Sequence, residues 1–157
     1  MEKFPITAAG FVAREAEVKQ LKTIERPNVI KAIAEARAHG DLSENAEYSA
    51  AREKQSFIEG RILELEGRIA GADVIDVSKL GGDIVKFGAT VKLLDEDSEE
   101  TVMYQLVGEY EADIKKNKLS ITAPISRALI GKQKGDIVEV ITPRGNKTYE
   151  IMNIEFK

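Results

Sequence analysis

Three acids stand at intervals of three in the stretch His39-Gly40-Asp41-Leu42-Ser43-Glu44-Asn45-Ala46-Glu47-Tyr48: Asp41, Glu44 and Glu47. If a helix starts near Leu42 or Ser43, Glu44 and Glu47 lie one turn apart on it with Asp41 just ahead, so two or three carboxylates can converge on one side. Converged carboxylates are the oxygen donors that hard divalent cations take. A second reading stands beside this one: acids are favoured in the first turn of any helix by its macrodipole. Gly40 has the backbone freedom that ends a helix, and Asp41 and Ser43 are types that cap the next. The stretch therefore reads as the tip of a helical hairpin.

A tip must be held by arms, and both are visible in the periodicity. Thr7 is a candidate N-cap, and residues 8–39 carry Phe11, Val18, Leu21, Ile30 and Ile33 at helical spacings interrupted near Pro27, where a kink is expected. After the tip, positions 44, 48, 51, 55, 58, 62, 65, 69 and 72 advance by alternating fours and threes; they hold Tyr48, Ala51, Ile58, Ile62, Leu65, Ile69 and Ala72, with Glu44 and Gln55 as polar members. That is a coiled-coil seam. With the turn between Asp41 and Leu42, facing residues have numbers that add up to about 83, which sets Leu21 against Ile62, Val18 against Leu65 and Phe11 against Ala72.

The helical pattern ends at Gly71, and Ser78-Lys79-Leu80-Gly81-Gly82-Asp83 reads as a linker, giving domains of residues 1–78 and 79–157. Beyond it the period becomes two, in Val85–Phe87, Thr90–Leu93, Val102–Val107, Ile137–Ile141 and Tyr149–Ile154. These are expected antiparallel strands with one covered face. Asp95-Glu96-Asp97-Ser98-Glu99-Glu100 is a solvated hairpin loop, without the spacing of a calcium hand. Pro124 opens a short helix that runs through Ile130 to Gly131, and Pro143-Arg144-Gly145-Asn146 is a further hairpin turn. The fold class is α+β.

Composition narrows the chemistry. With no cysteine and one histidine, His39, in 157 residues, thiol chemistry and a His-rich metal site are excluded, and His39 is expected as an exposed helix-end residue. Met1-Glu2-Lys3 opens no apolar leader and no apolar run reaches membrane length, so a cytoplasmic protein is expected. A net charge of −4 argues against a general nucleic-acid coat and leaves room for a local basic patch.

The tip from Gly40 to Tyr48, its flanks Ile33-Ala34-Glu35-Ala36-Arg37 and Ala50-Ala51-Arg52-Glu53, and the segment Pro124-Ile125-Ser126-Arg127-Ala128-Leu129-Ile130-Gly131-Lys132 together resemble bacterial transcript-cleavage factors of the Gre family, in order and over nearly the whole chain. The GreA branch is nearer than the more basic GreB branch. The resemblance implies an N-terminal antiparallel coiled coil and an FKBP-like C-terminal sheet domain with a short helix. It implies a monomer that binds RNA polymerase at the rim of the secondary channel and reaches the active centre, as part of the transcription machinery with its DNA-binding association. It further implies that Asp41 and Glu44 share a magnesium ion with polymerase for hydrolysis of the 3′ end of backtracked RNA. One or two carboxylates are an ordinary protein share of such a shell, and too few to hold magnesium alone, so the chain is expected to be no enzyme by itself.

Arg37 and Arg52 match the basic side that contacts the RNA 3′ end in relatives. Arg37 equally suits an ion pair with Glu44 or Glu47, and Tyr48 suits the seam. Two other functions compete: a pure binding module that blocks the channel, and a free-standing prolyl isomerase, which needs an aromatic-lined cleft from among Phe87, Tyr104, Tyr110, Tyr149 and Phe156.

Overall fold

The computed structural model describes residues 3–41 and 45–157. The chain forms two compact units, Phe11–Ala72 and the combination of Lys3–Gly10 with Asp73–Lys157.

The first unit is the helical hairpin. Helix α1 (Ala8–Gln20) runs into a π-helical turn (Leu21–Glu25), then α2 (Arg26–Arg37), and α3 (Ala46–Ala70) returns. The expected disturbance near Pro27 is this π turn, in which the Arg26 N–H bonds the Leu21 carbonyl. Proline has no N–H for the carbonyl four residues back and its ring collides with that carbonyl, so the widened turn just ahead of Pro27 accommodates it.

The extra residue in this turn shifts the helical phase of all of α2. Val29 is 3% exposed whereas Ile30, expected in the seam, is 52% exposed. The buried line continues through Ile33 and Ala36, opposite Ala51, Ile58, Ile62 and Leu65. Leu21 packs on the cluster of Val29, Ile58 and Ile62, as the facing rule required. Three cross-helix pairs flank the seam: Lys22–Glu66 at 3.0 Å, Arg26–Glu59 at 2.7 Å and Glu17–Arg61 at 2.8 Å. They fix register more than they add stability, since exposed pairs are weak. The Arg26 guanidinium, hydrogen-bonded to Glu59, holds that carboxyl below its ordinary range.

The second unit is built on a five-stranded sheet ordered β5-β4-β3-β7-β6, with β3 (Thr90–Asp95), β4 (Thr101–Val107), β5 (Lys118–Ser120), β6 (Ile137–Thr142) and β7 (Gly145–Glu155). A two-stranded sheet of β1 (Phe4–Thr7) and β2 (Ala72–Ile75) accompanies it. The short helix α4 (Pro124–Leu129) packs against β6. The core joins Val85, Val91, Leu93, Leu106, Leu129, Val140 and Ile151.

Four features depart from the sequence reading. Strands β1, β2 and β5 were not expected, because runs of three or four residues carry too little periodicity. Strand β5 pairs parallel to β4, so the sheet is not wholly antiparallel. Val85–Phe87 forms no strand; Val85 is instead held between Gly131 and Lys132 by two 2.8 Å backbone bonds. Finally, the residues before 79 contribute to this unit: Val77 is 5% exposed and fills the space over Gly88, where a Cβ would lie 2.8 Å from its Cγ2. The units therefore divide near residue 72 and not at 78, and residues 3–10 join the second.

Thr7 is the N-cap of α1, as expected: its hydroxyl oxygen accepts from the Gly10 N–H at 3.0 Å. The second half of the cap is remote. Glu111, 6% exposed, accepts from the N–H groups of Thr7 at 2.8 Å and Gly108 at 3.0 Å, and the Thr7 hydroxyl donates to its other oxygen. In a local capping box an acid at the third helical position reaches back to the cap N–H; here that position is Gly10 and the acid arrives from residue 111. A Cβ on Gly10 would lie 2.3 Å from the Glu111 carboxylate oxygen.

Glycine to alanine inside a helix ordinarily stabilises by about 0.5–1 kcal/mol. Gly10→Ala is expected to reverse that sign and destabilise by about 1–3 kcal/mol, because the new methyl displaces a buried, fully bonded carboxylate. Calorimetric melting against Gly60→Ala, where the space is open, checks it: Gly60→Ala should melt no lower than the unaltered chain and Gly10→Ala clearly lower.

Candidate functional site

The tip is built by the end of α2 and the start of α3. After Arg37 the chain tightens: the His39 N–H bonds the Ala36 carbonyl at 3.1 Å and the Gly40 N–H bonds the Arg37 carbonyl at 3.2 Å. Gly40 then takes φ +106°, which L side chains rarely adopt. Asp41 comes next and is exposed. Leu42, Ser43 and Glu44 lie outside the described residues, so the expected place of Glu44 in the site falls there too.

The cap of α3 is neither Asp41 nor Ser43 but Asn45, whose Oδ1 accepts from the Tyr48 N–H at 3.0 Å. The helix consequently starts at Ala46, beyond the expected Leu42 or Ser43, with Glu47 in its first turn. Asn45 also donates from Nδ2 to the Ala36 carbonyl at 2.8 Å. An amide supplies both an acceptor and a donor, which a carboxylate does not. The signal was present, an Asn directly before Ala46-Glu47, but the two earlier cap candidates obscured it.

His39, Asp41, Asn45, Ala46 and Glu47 line an open concavity of about 430 Å³. His39 is exposed, as expected, with Nδ1 3.7 Å from a Glu47 oxygen. Among the described residues no three acids or imidazoles stand close enough to enclose a metal ion. Asp41, an exposed carboxylate at a turn, fits a single protein share of a magnesium shell whose other ligands come from elsewhere.

The cations divide by flank. Arg37 is next to the seam residue Ala36, Arg52 next to Ala51 and Glu59 next to Ile58, each on the C-terminal side, so helical phase sets all three on the flank marked by the Arg26–Glu59 bond. Glu47 precedes Tyr48 on the opposite flank, facing His39. Arg37 lies over the Tyr48 ring, 6.0 Å from its centroid, a cation–π placement. Among the described residues neither Arg37 nor Arg52 forms a salt bridge. The alternative pairing of Arg37 with Glu47 is thus not formed.

The second unit has its own apolar concavity, about 410 Å³, lined by Ile125, Val140, Thr142, Pro143, Arg144, Lys147 and Tyr149. Tyr149 is the one aromatic in that wall; Tyr104 and Phe156 pack on the core and Tyr110 meets Phe4 edge-on at 4.9 Å.

Models of two families match the chain: "Transcription elongation factor, N-terminal" over residues 4–74 and "Transcription elongation factor, GreA/GreB, C-term" over residues 80–156. The chain is 66% identical over 156 residues to transcription elongation factor GreA of Ruegeria pomeroyi and 63% identical over 156 residues to that of Phenylobacterium zucineum, covering 99% of both partners in each case. Among solved structures it is similar to Thermus aquaticus Gfh1, with 25% identity, 99% of both chains covered and a TM-score of 0.45.

Gly40→Ala is expected to cost about 1–2 kcal/mol, since a Cβ is strained at that positive φ even though no atom stands within 4 Å of its position. Thermal melting followed by helical circular dichroism checks it, and an unchanged midpoint would mean that the tip relaxes without strain.

Proposed function

Because the chain belongs to the GreA/GreB family of transcription elongation factors, we propose that it binds RNA polymerase through the secondary channel and stimulates cleavage of the 3′ end of backtracked RNA, rescuing arrested complexes. The observation that carries this reading is an exposed acid, Asp41, presented at the turn between two helices that are bonded together directly behind it. Helix α3 alone has 25 residues, about 37 Å at 1.5 Å per residue, enough to bring such a group deep into a narrow channel.

In this reading Asp41 and Glu44 lend carboxylates to a magnesium ion shared with polymerase, and the chain is no nuclease by itself. The ion, when bound, supplies a positioned water and neutralises charge developing on the phosphate. Asp41 contributes negative charge and an oxygen ligand at the tip. Arg37 and Arg52, on one flank, offer cations to the RNA phosphates; stacking on Tyr48 restrains the Arg37 guanidinium, so less rotamer freedom is lost on contact.

Two outcomes are expected with stalled elongation complexes. Asp41→Asn and Glu44→Gln, singly or together, should lower cleavage by on the order of a hundred-fold or more, with polymerase binding retained and the defect partly relieved by added magnesium. The double variant should then act as a competitive inhibitor of the unaltered protein; normal cleavage by it would reduce the tip acids to helix-start residues. Arg52→Glu and Arg37→Glu should weaken cleavage more than binding and flatten its salt dependence. If rate and salt slope are unchanged in both, the basic flank does not touch RNA.

A further inference from the structure

We propose that Asn45 is a positioning residue for the tip carboxylates, acting as a clasp between the two helices and not merely as the cap of α3. The inference rests on the function proposed above. Its two hydrogen bonds lie on opposite sides of the tip: Oδ1 receives the Tyr48 N–H of α3 at 3.0 Å, and Nδ2 donates to the Ala36 carbonyl at the end of α2 at 2.8 Å. The same carbonyl receives the His39 N–H at 3.1 Å, within the turn that leads through Gly40 to Asp41. One side chain thus ties the point where the chain leaves for Asp41 to the point where it returns. Glu44 is joined directly to Asn45 in the sequence. Arg37, the residue after Ala36, lies over the ring of Tyr48, the residue whose N–H Asn45 receives, and so joins the same two turns a second time.

An ordinary N-cap needs only the acceptor. The donor half adds nothing to α3 and closes no unsatisfied group, since the Ala36 carbonyl is already bonded to His39. What it does is remove freedom between two segments whose carboxylates, in the proposed reaction, must meet one ion to within a fraction of an ångström. The clasp therefore separates two roles that substitution can separate. Asn45→Ser keeps a capping oxygen for Tyr48, cannot span to Ala36, and introduces no charge. Asn45→Ala removes both halves.

The test uses the full chain in two measurements. In the free protein, Asn45→Ser should retain helix content and melting midpoint while the backbone amide of Asp41 loses order, its order parameter falling below about 0.6 in nitrogen relaxation. On backtracked elongation complexes, cleavage at saturating Asn45→Ser should fall on the order of ten- to a hundred-fold, with the half-saturating concentration of the factor unchanged and the magnesium requirement raised. Asn45→Ala should show the same loss together with a lower melting midpoint.

The inference is overturned if Asn45→Ser cleaves at the unaltered rate at saturation, if its loss appears as a raised half-saturating concentration, or if Asp41 stays as ordered as before. Failure of the functional reading looks different: the unaltered chain itself would stimulate no cleavage, or Asp41→Asn would be as active as the parent, and the clasp would then have nothing to position.

Discussion

Pro27 cannot donate to the carbonyl four residues behind it, and the hairpin from there to its tip depends on how that deficit is absorbed. A π turn over Leu21–Glu25 takes it up. Every later residue of the first arm is thereby rotated, so that Val29 and not Ile30 meets Ile58. Ile33, Ala36 and Arg37 inherit this phase, and with it the flank on which Arg37 stands beside Arg52. A local backbone irregularity some distance from the tip thus sets the flank of Arg37. The seam it serves is narrow, and the hairpin relies on cross-helix ion pairs and the Asn45 bonds to hold register where buried area is small.

The proposed function falls where packing is weakest. The described part of the tip is exposed at Asp41, His39 and Glu47, so no hydrophobic burial holds those groups in place. Directional bonds substitute for burial: tight backbone turns at His39 and Gly40, the amide of Asn45 and the Arg37–Tyr48 stack. Hydrogen bonds orient without covering, which leaves a carboxylate accessible to an ion or a phosphate that must approach it.

The second unit solves a related problem by burial. Glu111 is almost wholly enclosed, yet each of its oxygens is bonded, to the backbone and hydroxyl of Thr7 and to the N–H of Gly108. Gly10 makes the space for it. A helix start that lacks its own acid borrows one from a loop far along the chain, and the end of β1 is thereby bonded into this unit. Breaking the arrangement leaves an enclosed charge without partners, which is costly in a way that losing an exposed ion pair is not.

Much of this protein was legible in the order of residues alone. Period and capping chemistry are short-range, so the two helical arms, the seam from Tyr48 to Ile69, the Thr7 cap, the α4 segment opened by Pro124 and the two hairpin turns at Asp95–Glu100 and Pro143–Asn146 are all dictated by neighbours within a few positions. The acids and arginines of the tip were legible as residue types, though Glu44 falls outside the described residues. Tertiary structure decided the remainder. It made Asn45 the cap of α3, with the same amide bonded to the Ala36 carbonyl, and it set Val29 in place of Ile30 through the π turn. It paired β5 parallel to β4 and drew residues 3–10 and 73–78 to the sheet unit. Each of these turns on a partner remote in sequence, whose position no local pattern encodes, and a remote hydrogen bond or packing contact outweighs a local preference worth only fractions of a kcal/mol.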